Sequence, residues 1–245
     1  MSRIPIIIQA RMSSSRLPGK AMISLDGESC ISYIINTCKN VARKLGTSVT
    51  LITTQNSEDD IFELFYGDQL RVTRGSNNNV MQRIVDACNE NDKYILRVTG
   101  DCPLLPEDLL EKFYLYSVRS LHLHEPHLIT NCFKRTFPRG FDMEVLNVNY
   151  LNQLLTMDLE NYHYEHVVSF IEENHDKHEI IEYTSLQDMS HFRLTLDEPL
   201  DAIFINKIVK CINQNSERFT TEMIYNSLNT INPINSLVKH KDYDE

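Results

Sequence analysis

The sequence has no apolar run approaching the ~20 residues needed to span a bilayer. Its opening "IPIII" (residues 4–8) is too short for the core of a signal peptide and runs straight into a polar stretch. A cytoplasmic protein without membrane attachment is therefore expected. The six cysteines, Cys30, Cys38, Cys88, Cys102, Cys132 and Cys211, include no C-x-x-C pair and fall within apolar segments. That usage suits reduced core residues and argues against a disulfide framework. Positive charge is also scarce: 24 Lys and Arg against 34 Asp and Glu leave a formal net charge of -10. Such a chain does not coat itself on nucleic acid or on an anionic membrane, so any polyanion it binds must sit in a local basic pocket. Neither an internal repeat nor a low-complexity linker is present, and nothing in 245 residues demands a second domain.

Short apolar runs alternate with helical periods through the first half. Residues 4–8, 48–52, 70–73 and 93–98 read as strands, compact and rich in Ile, Val, Leu or Thr. In "ISYIINTCKNVARKL" (31–45) the apolar residues recur at the spacing of one buried helix face. "NSEDDIFELF" offers Asn56 or Ser57 as a helix N-cap with acids in the first turn. Further helices are expected over 79–90 and 106–118. This β-α-β-α rhythm predicts an α/β fold, a single-domain, Rossmann-like, mainly parallel sheet with helices on both faces. In the second half, strands are expected near 127–131 and 178–184. Helices are expected over 147–157 and 161–174, and from "HFRLTLDEP" to about 213. The final "VKHKDYDE" has no apolar period and reads as a solvated tail.

The chemistry concentrates in "IIIQARMSSSRLPGKAM" (6–22), where a strand of isoleucines gives way to Arg11, Arg16 and Lys20 among Ser13, Ser14, Ser15 and Gly19. Ligands of open parallel sheets bind beyond the carboxyl ends of the strands. Cations and backbone N–H groups converging there suit a polyanion such as a triphosphate, although solvated surface charge would look the same. A phosphate-binding P-loop is excluded, because G-x-x-x-x-G-K-[ST] would need glycine at Ser14 and a hydroxyl at Ala21. In "LRVTGDCPLLPEDLL" (96–110), Gly100 permits a turn that projects Asp101 at the same sheet edge. Cations around a polyphosphate usually work with Mg²⁺, which takes one or two carboxylates plus phosphate oxygens and water. Asp101 is one candidate ligand. Asp197 is a second, but Asp before Glu198 and Pro199 is equally a helix N-cap signature.

"IIIQARMSSSRLPGK", "RVTGDCPL", "RTFPRGFDMEV", "YEHV" and "RLTLDEPLD" occur in that order between residues 4 and 212. Together they resemble the SpsF-type spore coat polysaccharide biosynthesis proteins, within the wider family of cytidylyltransferases that make CMP-linked acidic sugars. The resemblance implies a GT-A-like nucleotide-diphospho-sugar transferase fold over 4–212, with a C-terminal helix and tail over 213–245. It also implies CTP as donor, Mg²⁺ as cofactor, a sugar or sugar-acid acceptor and a homodimer. On this resemblance Gln9, Ala10, Arg11, Arg16 and Lys20 match the nucleotide loop and Asp101 the metal position. Thr53, Arg74, Asn79 and Arg83 fall in segments that line the base and ribose pocket. Arg11, Lys20 and Asp101 would carry the catalysis, with Asp197 as the second metal ligand. Arg139, Asp142, Glu144, Glu165 and His166 would face the acceptor. Asn77 and Asn78 stand where many relatives have acids.

Two rival readings remain open. A glycosyltransferase consuming a nucleotide sugar would need a D-x-D inside the domain, and the "DYD" at 242–244 lies in the tail. A non-catalytic nucleotide-binding protein would bind CTP without chemistry. "HLHEPH" (His122, His124, His127) lacks the spacing of a structural zinc site.

Overall fold

The computed structural model describes residues 3–213 and 219–231; the solvated-tail expectation and the "DYD" lie outside them. Seven strands form one sheet: β1 (Ile6–Gln9), β4 (Val49–Thr54), β5 (Arg71–Gly75), β6 (Tyr94–Thr99), β7 (Leu128–Thr130), β8 (Glu144–Asn147) and β9 (Ile180–Glu182). Their order is β5-β4-β1-β6-β8-β7-β9. The first four are mutually parallel, β8 is antiparallel to both neighbours, and β9 is parallel to β7. A two-stranded ribbon, β2 (Ser24–Leu25) with β3 (Glu28–Ser29), lies apart from it.

Strand alternation explains the two layers of core. Ile6 and Ile8 point to one face, with Leu51, Leu96 and Val98, beneath helices α1 (Cys30–Leu45), α4 (Glu107–Ser120) and α8 (Pro199–Asn213). Ile7 points to the other, with Ile52 and Ile95, beneath α3 (Val80–Ala87) and α5 (Val148–Leu155). Strands buried on both faces must be apolar throughout, which is why "IPIII" shows no alternation. Helix α9 (Thr221–Ile231) is clipped to α4, whose Asp108 carboxylate accepts the Thr221 N–H at 2.8 Å.

The expected strands all form within a few residues of their sequence bounds, but several local expectations are corrected. Helix α1 starts one residue earlier than expected, with Ser29 accepting the Ser32 N–H. Asn56 and Ser57 make no side-chain cap; the segment opens as a 3₁₀ turn (Ser57–Asp59) before α2 (Asp60–Tyr66). The helix expected over 161–174 is two short ones, α6 (Asn161–Glu165) and α7 (Ser169–Glu173). The Ser169 hydroxyl and amide both donate to the His166 carbonyl, at 2.6 and 2.8 Å, and this local bonding interrupts the helical ladder. Strand β8 was not expected at all, since its four residues merge with the helical period that follows.

Two glycines allow close backbone approach at the carboxyl-end edge of the parallel strands and in the segment before β8. Gly100, directly after β6, donates its N–H to the Gln9 carbonyl at 2.8 Å, and a Cβ there would stand 2.9 Å from the Ala10 Cβ. Gly140 has φ +103°, and a Cβ on it would meet the Leu194 carbonyl carbon at 2.6 Å. That contact fastens the segment before β8 to the one before α8, where Arg139 N–H donates to the Phe192 carbonyl and Leu194 N–H to the Arg139 carbonyl. Gly140→Ala combines a disfavoured φ with a backbone clash, so it is expected to lower unfolding stability by roughly 2 kcal/mol or more in urea denaturation.

Candidate active site

The loop leaving β1 closes on itself through one carbonyl. Met12 C=O accepts the N–H groups of Ser14 and Gly19, both at 2.9 Å, while Ala10 N–H is held by the Ile52 carbonyl at 3.1 Å. Gly19, at φ 73°, turns the chain into a 3₁₀ segment (Lys20–Met22). These bonds bring Arg11, Arg16 and Lys20 to the rim of a cavity of about 480 Å³. Gln9, Ala10, Ser14 and Ser15 also line it.

Opposite the loop stand Asp101 and Asp197. The Lys20 ammonium donates to Asp101 Oδ2 at 2.5 Å and to Asp197 Oδ1 at 2.8 Å, and Arg16 reaches the same Asp197 oxygen at 3.1 Å. Burial alone would lower the Lys20 pKa, but the two carboxylates outweigh it and raise it above the usual lysine range. Burial likewise works to raise the Asp101 pKa, and Lys20 with its hydrogen bond reverses this, so Asp101 is held below the usual carboxylate range. The two meanings open for Asp197 separate here. Its side chain faces Lys20, whereas the backbone N–H groups of Asp197 and Glu198 are capped by Asp201 Oδ2, at 2.9 and 2.8 Å. Among the described residues no three His, Cys, Asp or Glu side chains are grouped as a metal centre; Asp101 and Asp197 are a pair on one cation.

The remaining sequence-predicted nucleotide residues, Thr53, Arg74, Asn79 and Arg83, are not in the cavity lining and are engaged elsewhere. Thr53 is fully buried and its hydroxyl donates to Asp59 Oδ2 at 2.8 Å. Arg74 pairs with Asp60 and donates to the carbonyls of Thr54 and Asn56, at 3.0 and 2.6 Å. Asn79 caps α3 by accepting the Gln82 N–H at 2.8 Å. Asn77 bonds the Gln55 N–H and the Asn56 side chain, at 3.2 and 2.6 Å. The Arg83 guanidinium is buried and donates through Nη1 to the Ser76 carbonyl, while its Nε and Nη2 have no hydrogen-bond partner among the described residues. Burial, with Arg11 and Arg97 nearby, pushes its pKa down to about 10.

On the far wall, Asp142, Glu165, His166 and Thr195 line the cavity with Arg97. Arg11 is paired with Glu165 at 2.7 Å, and Asp142 with Arg135 at 2.5 Å. Glu144 is buried and bonded to Arg97, whose Nε donates to Gln9 Oε1 at 2.8 Å. His166 is kept below the usual imidazole pKa, first by burial and then by Arg97 and Arg11, with Glu165 opposing. Arg139 has an exposed side chain outside the cavity lining. Arg97 and Thr195 are additions to the sequence expectations. Arg97 carried a signal, a lone charge inside the otherwise apolar strand "YILRVT", whereas Thr195 carried none.

A family model described as cytidylyltransferase matches residues 5–223. The chain is 27% identical to the spore coat polysaccharide biosynthesis protein SpsF of Bacillus subtilis over 232 residues, 91% of this chain and 93% of that protein. Among solved structures, a cytidylyltransferase from Leptospira borgpetersenii superposes with a TM-score of 0.84 at 31% identity, covering 98% of this chain and 99% of that one. A CMP:2-keto-3-deoxy-manno-octonic acid synthetase complexed with CTP shares the fold, with a TM-score of 0.63 at 16% identity over 85% of this chain and 99% of its own.

Proposed function

This chain belongs to the cytidylyltransferase family, and from that premise we propose that it transfers CMP from CTP to a sugar or sugar-acid acceptor, releasing pyrophosphate, in surface polysaccharide or glycan biosynthesis. The observation that carries the reading is the convergence of Arg11, Arg16 and Lys20, after the central strand β1, on a cavity whose opposite rim is Asp101 and Asp197. Every one of those cations now rests on a carboxylate. The Arg11–Glu165 pair is 37% and 44% exposed, the kind of ion pair worth ~0–1 kcal/mol, so a triphosphate outcompetes it readily.

The donor set fits Mg²⁺. Two carboxylates, Asp101 from the turn after β6 and Asp197 from the segment before α8, already converge on a single cation, the arrangement such an ion completes with phosphate oxygens and water. Asp101 and Asp197 would hold it, and when bound it would neutralise phosphate charge and lower the pKa of an acceptor hydroxyl. Lys20 and Arg16 would then move to the β and γ phosphates and steady the departing pyrophosphate. The acceptor oxygen attacks the α-phosphorus in line from the wall formed by Asp142, Glu165, His166 and Thr195. His166, neutral at pH 7, is available there to accept a hydrogen bond. Such a reaction needs positioning and charge neutralisation and no covalent intermediate.

A nucleotide panel in thermal-shift format tests the donor. CTP with Mg²⁺ at 100 times its Kd is expected to add about 2.7 kcal/mol of stability, and ATP or UTP much less. Pyrophosphate release is then followed with CTP, Mg²⁺ and a set of sugars and sugar acids. Stabilisation by CTP with no pyrophosphate from any acceptor would favour a nucleotide-binding protein without catalysis. Stabilisation by a nucleotide sugar instead of CTP would favour a glycosyltransferase.

A further inference from the structure

The cationic loop is tied down at one point by a carboxylate that does not itself reach the cavity. Asp59 is fully buried and absent from the cavity lining, and four donors meet its two oxygens. Oδ1 accepts the Met12 N–H at 2.7 Å; Oδ2 accepts the Thr53 hydroxyl at 2.8 Å, the Thr54 N–H at 3.0 Å and the Thr54 hydroxyl. Asp59 is not serving the helix it precedes, since α2 has no side-chain cap bond from it. Met12 is the residue whose carbonyl also closes the loop on Ser14 and Gly19. One peptide unit on each side of a single residue thus fixes the path from Arg11 to Lys20. The chain that follows this corner is pinned in turn, Asn77 accepting the Gln55 N–H and Arg74 donating to the carbonyls of Thr54 and Asn56.

We propose that Asp59 is a positioning residue for the nucleotide, setting the loop before CTP arrives; this rests on the function proposed above. A loop with three serines between its arginines loses conformational freedom when it closes on a ligand, and that loss subtracts from affinity. Fastening Met12 in the empty protein removes much of the loss in advance. A buried carboxylate with four donors makes a rigid anchor, because each bond to a charged acceptor is stronger than a neutral one.

Asp59→Asn isolates the tether. Only one side-chain atom can then accept; three donors favour placing it toward the threonines, which turns the amide NH₂ against the Met12 N–H. The Kd for CTP with Mg²⁺, measured by calorimetry, is expected to rise about tenfold or more. Hydrogen exchange is expected to show the Met12 amide protected like those of β4 in the native protein, exposed in the variant, with β8 amides unchanged in both. An unaltered Kd, or a Met12 amide that exchanges freely in the native protein, would each overturn the proposal. Should Asp59→Asn not fold, Thr53→Val removes one Oδ2 donor and keeps the tether: a smaller rise in Kd, with Met12 still protected, is expected, and an unchanged Kd counts against the anchor. A native protein that ignores CTP would defeat the proposed function, while Met12 exchange would still decide whether the tether exists.

Discussion

Replacing Lys20 by Ala is expected to weaken CTP binding by about 30-fold or more, the loss of charged hydrogen bonds from the ammonium to phosphate. The same change acts on the empty protein. Lys20 now sits between Asp101 and Asp197, at 2.5 and 2.8 Å, with the three side chains 16%, 22% and 14% exposed. Removing one member of a fully buried pair costs ~3–5 kcal/mol, and partial exposure here brings the expected loss to about 1–2 kcal/mol. Arg16 and Arg193 remain near Asp197, at 3.1 and 3.9 Å, and soften it further. The two facing carboxylates should then take up Mg²⁺ without nucleotide. A rise in melting temperature on adding Mg²⁺ alone is therefore expected in Lys20→Ala and not in the native protein. CTP affinity equal to that of the native protein would remove Lys20 from the nucleotide site, and no response to Mg²⁺ in the variant would remove the carboxylate pair from the metal site.

Asp101→Asn is expected to reduce turnover by at least ~10²–10³-fold, the scale on which a group aimed at developing charge contributes. The fold should survive, because the Asp101 main chain keeps its bond from the Leu196 N–H at 2.8 Å and Lys20 keeps Asp197. Calorimetry separates the metal from the chemistry: the native protein should bind CTP more tightly with Mg²⁺ than without, and the variant should show little difference between the two. A variant that turns over CTP at the native rate would end the assignment of Asp101.

How much was legible depended on whether a signal was local. The four parallel strands and the loop after β1 could be read because each is a contiguous run with its own pattern, and a central strand ending in cations marks a ligand edge by topology alone. Strand β8 was invisible because four residues carry too little period, and the break at His166 because it depends on the Ser169 hydroxyl choosing a carbonyl. Asp59 read as a helix-start acid from its neighbours; that it turns instead to Met12, 47 positions away, is a property of packing. Thr53 was expected to line the pocket, yet it is absent from the cavity lining and its hydroxyl is engaged with Asp59. Asp197 was misread in the opposite way, since the helix cap offered for it is not made: its side chain faces Lys20, and the N–H groups of Asp197 and Glu198 go to Asp201, four residues on.

The reversed direction of β8 decides which end of its flanking sequence arrives at the edge of the sheet that holds the cavity. Because Glu144, its first residue, lies opposite Arg97 near the carboxyl end of β6, the residues entering this strand arrive at the ligand edge, and those leaving it depart to the opposite side. In the parallel half of the sheet it is the loop leaving each strand that arrives at this edge. A library meant to retune acceptor choice should accordingly diversify the stretch upstream of Glu144 and leave the downstream turn into α5 alone, the inverse of the habit that parallel α/β enzymes teach.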